Sequence, residues 1–159
     1  MKQNFNTSFT VDRSPEEVFG AITNVRGWWS EDIEGRTDEV GEFNYHYRDI
    51  HRCVMRITEL NPGKKVVWHV VDNYFNFTGD EKEWTGTDIV FEIERKSNQT
   101  EVRFTHIGLT AADECYDVCS DSWGTYIRGS LRDLITTGKG KPNQSEKLAA
   151  KHGIVSTQE

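Results

Sequence analysis

The sequence predicts an α+β fold in which a curved antiparallel sheet packs against one long C-terminal helix. Apolar and polar residues alternate in several segments between residues 5 and 107, which is typical of half-buried strands. After Leu109 the apolar residues recur at three- and four-residue steps, as on one face of an amphipathic helix. A helix-start signal at Ser14 separates the first strand from the others. This order places the helices on one face of the sheet.

The first strand and the helix that follows it have clear local signals. Apolar residues alternate with polar ones over residues 5–11. Ser14 then suits the N-cap, Pro15 suits the first helical position, and Glu17 completes a capping box. We therefore expect a helix that starts at Pro15 and ends near Asn24.

The middle of the chain is predicted to form antiparallel strands joined by turns. Asn61-Pro62-Gly63-Lys64 is a strong turn signal, and Arg48-Asp49 and Ser97-Asn98-Gln99 are others. The predicted strands cover 41–47, 52–57, 66–71, 89–93 and 102–106. A long connection over 72–86 contains aromatic residues that cap the interior as a lid or contact a second subunit.

A long amphipathic helix is predicted near the C-terminus, capped by Thr110 or Asp113 and ended by Gly138. The residues after it are polar, and we interpret 141–159 as a loosely held tail. The apolar stripe of the helix consists of Tyr116, Cys119, Trp123, Ile127, Leu131 and Leu134.

The composition excludes several classes of protein. The chain has 159 residues, a net charge of -7 and only 35% hydrophobic residues, yet it contains 5 Trp, 5 Tyr and 8 Phe. No apolar run is long enough to span a membrane, and an acidic chain is poorly suited to nucleic acid. The N-terminus lacks the apolar core of a signal peptide, and three cysteines form no disulfide framework, so we expect a cytoplasmic protein.

Several motifs together resemble a known family. They resemble START-like (SRPBCC) helix-grip domains, in the bacterial branch similar to the C-terminal domain of the activator of heat-shock protein 90 ATPase. The motifs are Phe9–Phe19 with Ala21-Ile22-Thr23, Trp28-Trp29, Trp68-His69-Val70, Glu83–Thr87, Arg103–Leu109, Trp123–Tyr126 with Ser130-Leu131, and Thr137–Gly140.

The resemblance implies a helix-grip domain over residues 1–140, and it implies a ligand cavity between the sheet and the long helix. Such cavities are concave and lined by aromatic rings, and Tyr and Trp keep a polar group that can orient a ligand. The predicted lining residues are Tyr45, Trp68, His69, Trp84, Phe91, Phe104, His106, Tyr116 and Trp123. His106 shares a strand face with Phe104, so we expect it to point inward and hydrogen-bond Tyr116 or Trp123.

Other chemistry has weak signals. His46, Asp49 and His51 surround one turn, but their spacing fits no metal motif, so a solvated turn is the favoured interpretation. Cys115 and Cys119 lie one helical turn apart, and the favoured interpretation of Cys119 is a small buried apolar residue. We predict no catalytic residue, metal or cofactor.

Three functions remain open. The first is binding of a small apolar or aromatic molecule in the cavity. The second is a protein-interaction module related to the heat-shock protein 90 activators. The eukaryotic activator has a further N-terminal domain for which this sequence has no room, so we rank chaperone contact below ligand binding. The third is a minor enzymatic activity that uses a cavity histidine. A homodimer is compatible with each.

Overall fold

The computed structural model describes residues 4–143, which form a seven-stranded sheet with the order β1-β7-β6-β5-β4-β3-β2. Every neighbouring pair of strands is antiparallel, as the alternation predicts. The strands are β1 (Phe5–Val11), β2 (Ile33–Glu34), β3 (Gly41–Tyr47), β4 (His51–Asn61), β5 (Lys65–Phe75), β6 (Asp88–Lys96) and β7 (Gln99–Ile107).

The helices lie on one face of this sheet, and two short ones follow the first strand. The capping box of α1 is confirmed, because the Ser14 Oγ accepts from the Glu17 N–H and the Glu17 Oε1 accepts from the Ser14 N–H, both at 3.1 Å. The helices are α1 (Pro15–Thr23), α2 (Val25–Trp28), α3 (Tyr116–Gly124), a π-helical segment (Thr125–Leu131) and α4 (Arg132–Thr137).

The last three segments form one continuous structure, here called the long helix. Its buried residues include Cys119, Trp123, Ile127, Leu131 and Ile135, which follow one another at steps of four. An ideal α-helix has 3.6 residues per turn, so this spacing needs an underwound helix, and the wider π-helical turns supply it. The predicted stripe is therefore incomplete at its end: Leu134 packs against the core but is only half-buried, and Ile135 is the buried residue there.

One of the two irregularities in the β4–β5 pairing decides which side chains of β5 face the interior. Val54 and Met55 are neighbours on β4, but they pair with Asp72 and Val70, which leaves Val71 as an extra residue on β5. The extra residue reverses the alternation. On β5, the inward positions are even-numbered up to Val70 and odd-numbered from Asn73 onward.

The end of the long helix is closed by Gly138 and followed by a short extended segment. Gly138 has a φ of +85°, a left-handed conformation that favours glycine, and its N–H donates to the Leu134 carbonyl. Asn143 then donates from its backbone to Trp29 and accepts from Glu31. The rest of the predicted tail lies outside the described residues, and the boundary at residue 140 stays a prediction. No helix within residues 4–143 is long and apolar enough to cross a membrane.

Candidate functional site

Aromatic rings from five separate elements meet between the sheet and the long helix. The Trp29 ring stacks on Tyr45 with centroids 4.0 Å apart and packs against Trp123 at 5.2 Å and Trp68 at 5.8 Å. Trp84, from the loop between β5 and β6, stacks on Trp123 at 5.5 Å. These five residues are called the ring cluster. It connects both walls of the interior in one continuous set of contacts.

Most of the predicted lining residues lie in this interior. Tyr116 is only partly buried at the edge of the core. The remaining inward residues are buried, and they are Tyr45, Trp68, Trp84, Phe91, Phe104, His106 and Trp123.

His69 does not join the other predicted lining residues. It follows Trp68 on β5, so alternation turns its side chain to the opposite face of the sheet. There its Nδ1 lies 2.7 Å from the Asp88 Oδ1, and the two side chains are 38% and 42% exposed. The Trp68-His69-Val70 motif therefore contributes its first and third residues to the interior, and its histidine to the surface.

His106 links the sheet, the long helix and the β5–β6 loop through hydrogen bonds. The Trp123 Nε1–H donates to the His106 Nδ1 at 3.1 Å, which confirms one of the two predicted partners. The proton on His106 therefore sits on Nε2, which lies 2.8 Å from the Thr87 Oγ1. The Thr87 hydroxyl donates in turn to the Trp84 carbonyl at 2.5 Å. Both ring nitrogens are thus engaged within the protein.

Burial keeps His106 neutral. Its side chain is fully enclosed, and loss of hydration lowers its pKa to about 3, with a smaller contribution from His51. A neutral imidazole is what the hydrogen bonds require, because a protonated Nδ1 could not accept from Trp123. Geometry and protonation therefore agree that His106 is a hydrogen-bonding residue of the core.

A second buried histidine, His51, also contacts the ring cluster. The His51 Nε2 lies 2.8 Å from the Asn73 Oδ1. The His51 ring also packs against Tyr45, Phe75 and Trp84, with centroids 5.0, 4.4 and 4.7 Å away. Burial lowers the pKa of His51 to about 3, and its hydrogen bond to Asn73 only partly opposes this. His51, Asn73 and Trp84 are called the polar end.

The polar end contains two buried donors without acceptors. Asn73 is 1% exposed and Trp84 is 5% exposed. Within the described residues, the Asn73 Nδ2 and the Trp84 Nε1 have no hydrogen-bond partner. Buried polar atoms are almost always paired, because an unpaired one loses its hydration without compensation. The polar end is therefore the unusual part of this core.

The sequence analysis missed two of these residues. It placed His51 in a solvated turn with His46 and Asp49, but His51 is the first residue of β4 and only 8% exposed. Its alternation with Cys53 and Met55 was the signal for an inward position. Asn73 had no such signal, because the extra residue Val71 reverses the alternation.

Within residues 4–143 no group of three His, Cys, Asp or Glu side chains could hold a metal ion. The three cysteines are free and buried, which agrees with the expectation that Cys119 is a core residue. The hydrogen bond to Cys119, together with burial, raises the pKa of the Cys115 thiol, so that thiol stays protonated.

The loop that carries Trp84 is fastened to the start of the long helix. The Glu83 carboxylate accepts from the backbone N–H groups of Glu114 and Cys115 at 2.6 and 3.0 Å. In the other direction, the Gly79 N–H donates to the Glu114 Oε1 at 2.8 Å. These contacts hold the loop in place, and they keep the Trp84 ring against His51.

A separate groove of about 630 Å³ opens along β2, β3, β4 and β5. Its lining combines apolar and aromatic side chains, among them Ile33 and Val54, with charged residues. The Lys82 Nζ lies 2.7 Å from the Asp72 Oδ1, and the Arg52 guanidinium sits 4.2 Å from the centre of the Tyr74 ring. Tyr45 is the one predicted lining residue that borders this groove.

Comparisons with known proteins agree with the architecture. Residues 12–136 match the family described as activator of Hsp90 ATPase homolog 1-like protein. The chain is similar to the solution structure of the Aha1 dimer from Colwellia psychrerythraea, with 30% identity and a TM-score of 0.69, over 87% of this chain and 99% of that one. No curated protein matches the chain.

Two more distant structures share the fold alone. Protein MLL2253 from Mesorhizobium loti is 13% identical with a TM-score of 0.65, over 79% of this chain and 92% of that one. Protein SSP2350 from Staphylococcus saprophyticus is 16% identical with a TM-score of 0.62, over 87% of this chain and 96% of that one. The expected helix-grip fold is thus confirmed.

Proposed function

The chain belongs to the family of activator of Hsp90 ATPase homolog 1-like proteins, and we propose that within this fold it binds a small apolar or aromatic molecule between the sheet and the long helix. One observation supports the proposal above the others. Trp84, one of the five residues of the ring cluster, lies on the loop between β5 and β6 and not on the sheet or the long helix. A side chain on a loop can move aside and admit a ligand while the sheet and the long helix stay folded.

The contacts of the loop fit this role. Its fastening to the long helix consists of hydrogen bonds between carboxylates and backbone N–H groups, with Glu83 and Glu114 exposed enough to exchange them for water. Trp84 itself packs on Trp123 and His106, so a movement of the loop would open the apolar interior to a ligand, and the return of the loop would place the Trp84 ring against that ligand.

A thermal-shift screen of aromatic and lipid-like compounds, followed by native mass spectrometry of the hits, tests the proposal. We expect one compound class to raise the melting temperature and to bind with one-to-one stoichiometry. Trp84→Ala should abolish the shift. Phe77→Ala is the matched control, because Phe77 lies on the same loop but is 41% exposed, and it should leave binding intact. A screen without any stabilising compound would contradict the proposal.

The second candidate function is contact with a chaperone. It is supported by the family match and by the relative named as the Aha1 dimer. Val118 on the long helix is 57% exposed and offers an apolar contact point. Stimulation of the ATPase of an Hsp90 from the same organism, lost in Val118→Asp, would support this function. Sedimentation of the free protein tests the homodimer separately.

A catalytic histidine has less support. Both nitrogens of His106 are committed to Trp123 and Thr87, and its pKa of about 3 removes it from proton transfer near neutral pH. His69 lies on the outer face of the sheet. We therefore propose binding and not catalysis.

A further inference from the structure

The two unpaired donors at the polar end specify what a bound molecule would need. The Asn73 amide and the Trp84 indole each carry an N–H without an acceptor among the described residues. Both side chains contact the same ring: Asn73 through its oxygen at 2.8 Å from the His51 Nε2, and Trp84 through an edge-to-face contact at 4.7 Å. The donors therefore belong to one local site.

The orientation of Asn73 is set by His51. Burial keeps the His51 ring neutral, and its Nε2 proton is directed at the Asn73 Oδ1. That contact commits the amide oxygen and leaves the amide nitrogen for another partner. His51 thus acts as a positioning residue for the donor.

The buried side chains around the site carry no charge. His51 is neutral, burial raises the pKa values of Tyr45 and Cys53, and Phe75 packs on both His51 and Trp84. An anion would lose its hydration here without a counter-charge, and a cation would meet N–H donors. A neutral acceptor is the group that this environment favours.

We propose that the polar end is the recognition site for an uncharged oxygen acceptor, such as a ketone or amide carbonyl, on an apolar or aromatic ligand. The oxygen accepts from the Asn73 Nδ2–H and the Trp84 Nε1–H, and the carbon skeleton lies against the ring cluster. This inference rests on the proposed function and adds the chemical class of the ligand.

A pair of matched probes tests the class directly. The bicyclic ketone 1-tetralone and the hydrocarbon tetralin differ in one carbonyl oxygen. We expect the full chain to bind the ketone at least about 10-fold more tightly in ligand-observed NMR titrations, because each buried donor that gains an acceptor recovers a lost hydrogen bond. In the ¹⁵N spectrum, the side-chain signals of Asn73 and Trp84 should move downfield with the ketone alone.

Two variants separate hydrogen bonding from packing. Trp84→Phe removes one donor and keeps a ring, so it should reduce the preference for the ketone severalfold. Phe75→Leu removes part of the same wall and keeps both donors, so it should weaken both probes equally. The spectra of the unchanged protein with the two probes still test the acceptor site if a variant fails to fold.

The outcomes distinguish this inference from the proposed function. Equal affinity for both probes, with unmoved side-chain signals, would overturn the acceptor site and leave apolar binding standing. Binding of neither probe, together with a negative compound screen, would overturn both. Tighter binding of a matched carboxylate, such as 1,2,3,4-tetrahydro-1-naphthoate, than of the ketone would overturn the uncharged class.

Discussion

Acidification to pH 5 should destabilise this protein through its two buried histidines. His51 and His106 are 8% and 0% exposed, and each has a pKa of about 3 in the folded chain, lowered mainly by burial. In the unfolded chain both would titrate near their ordinary pKa of about 6.5. Between pH 6.5 and about 3, both histidines are therefore protonated in the unfolded state and neutral in the folded state.

The sign and the size follow from this difference. Stability is fully present above pH 6.5 and is lost as the pH falls toward 3, because protons then favour the unfolded state. At pH 5 each histidine costs about 2 kcal/mol, so the pair lowers the free energy of unfolding by about 4 kcal/mol relative to pH 7.5. Such a loss is a large part of the total stability of an ordinary domain.

Urea unfolding followed by tryptophan fluorescence at pH 7.5, 6 and 5 measures the effect. The Asp72 carboxyl, whose pKa is lowered by its hydrogen bond to Lys82, titrates below this range and interferes little. In His106→Gln the loss between pH 7.5 and 5 should shrink by about 2 kcal/mol. His69→Gln is the control, because it removes a half-exposed histidine and leaves both buried ones in place. An unfolding free energy that stays constant from pH 7.5 to 5 would refute the reasoning.

Three further predictions concern stability, all measured by urea unfolding at pH 7.5. Trp123→Phe leaves the His106 Nδ1 without its donor and should cost about 2 kcal/mol or more; no loss would show that this hydrogen bond is unimportant. Ser14→Ala removes the N-cap and should cost about 1 kcal/mol, with circular dichroism checking the helix. Ile135→Ala should cost about 2–4 kcal/mol and more than Leu134→Ala, and the reverse order would contradict the π-helical phase.

Local signals predicted three features of the fold well. The Ser14 capping box, the strand alternation and the inward position of His106 each depend on residues close in sequence, and the structure confirms all three. These features follow from backbone hydrogen bonding and side-chain alternation, which neighbouring residues determine without reference to the rest of the chain.

The candidate site was predicted in part for the same reason. Alternation placed Tyr45 and Phe104 on the apolar faces of their strands, helical spacing placed Trp123 on the apolar stripe, and all three are buried. Alternation should also have excluded His69, because it is adjacent to an inward residue on the same strand.

The sequence by itself therefore determined most of the strands, the capped helix and most of the rings that face the long helix. It did not predict β2, the last residues of β5 or the inward position of Trp29. Tertiary structure decided the polar end. The extra residue Val71 turns Asn73 inward, the pairing of β4 with β5 brings it to His51, and the loop places Trp84 over both. Each of these depends on how separate segments align, which local propensity does not encode. The π-helical turns that bring Ile135 inward are set by the same packing of the helix on the sheet.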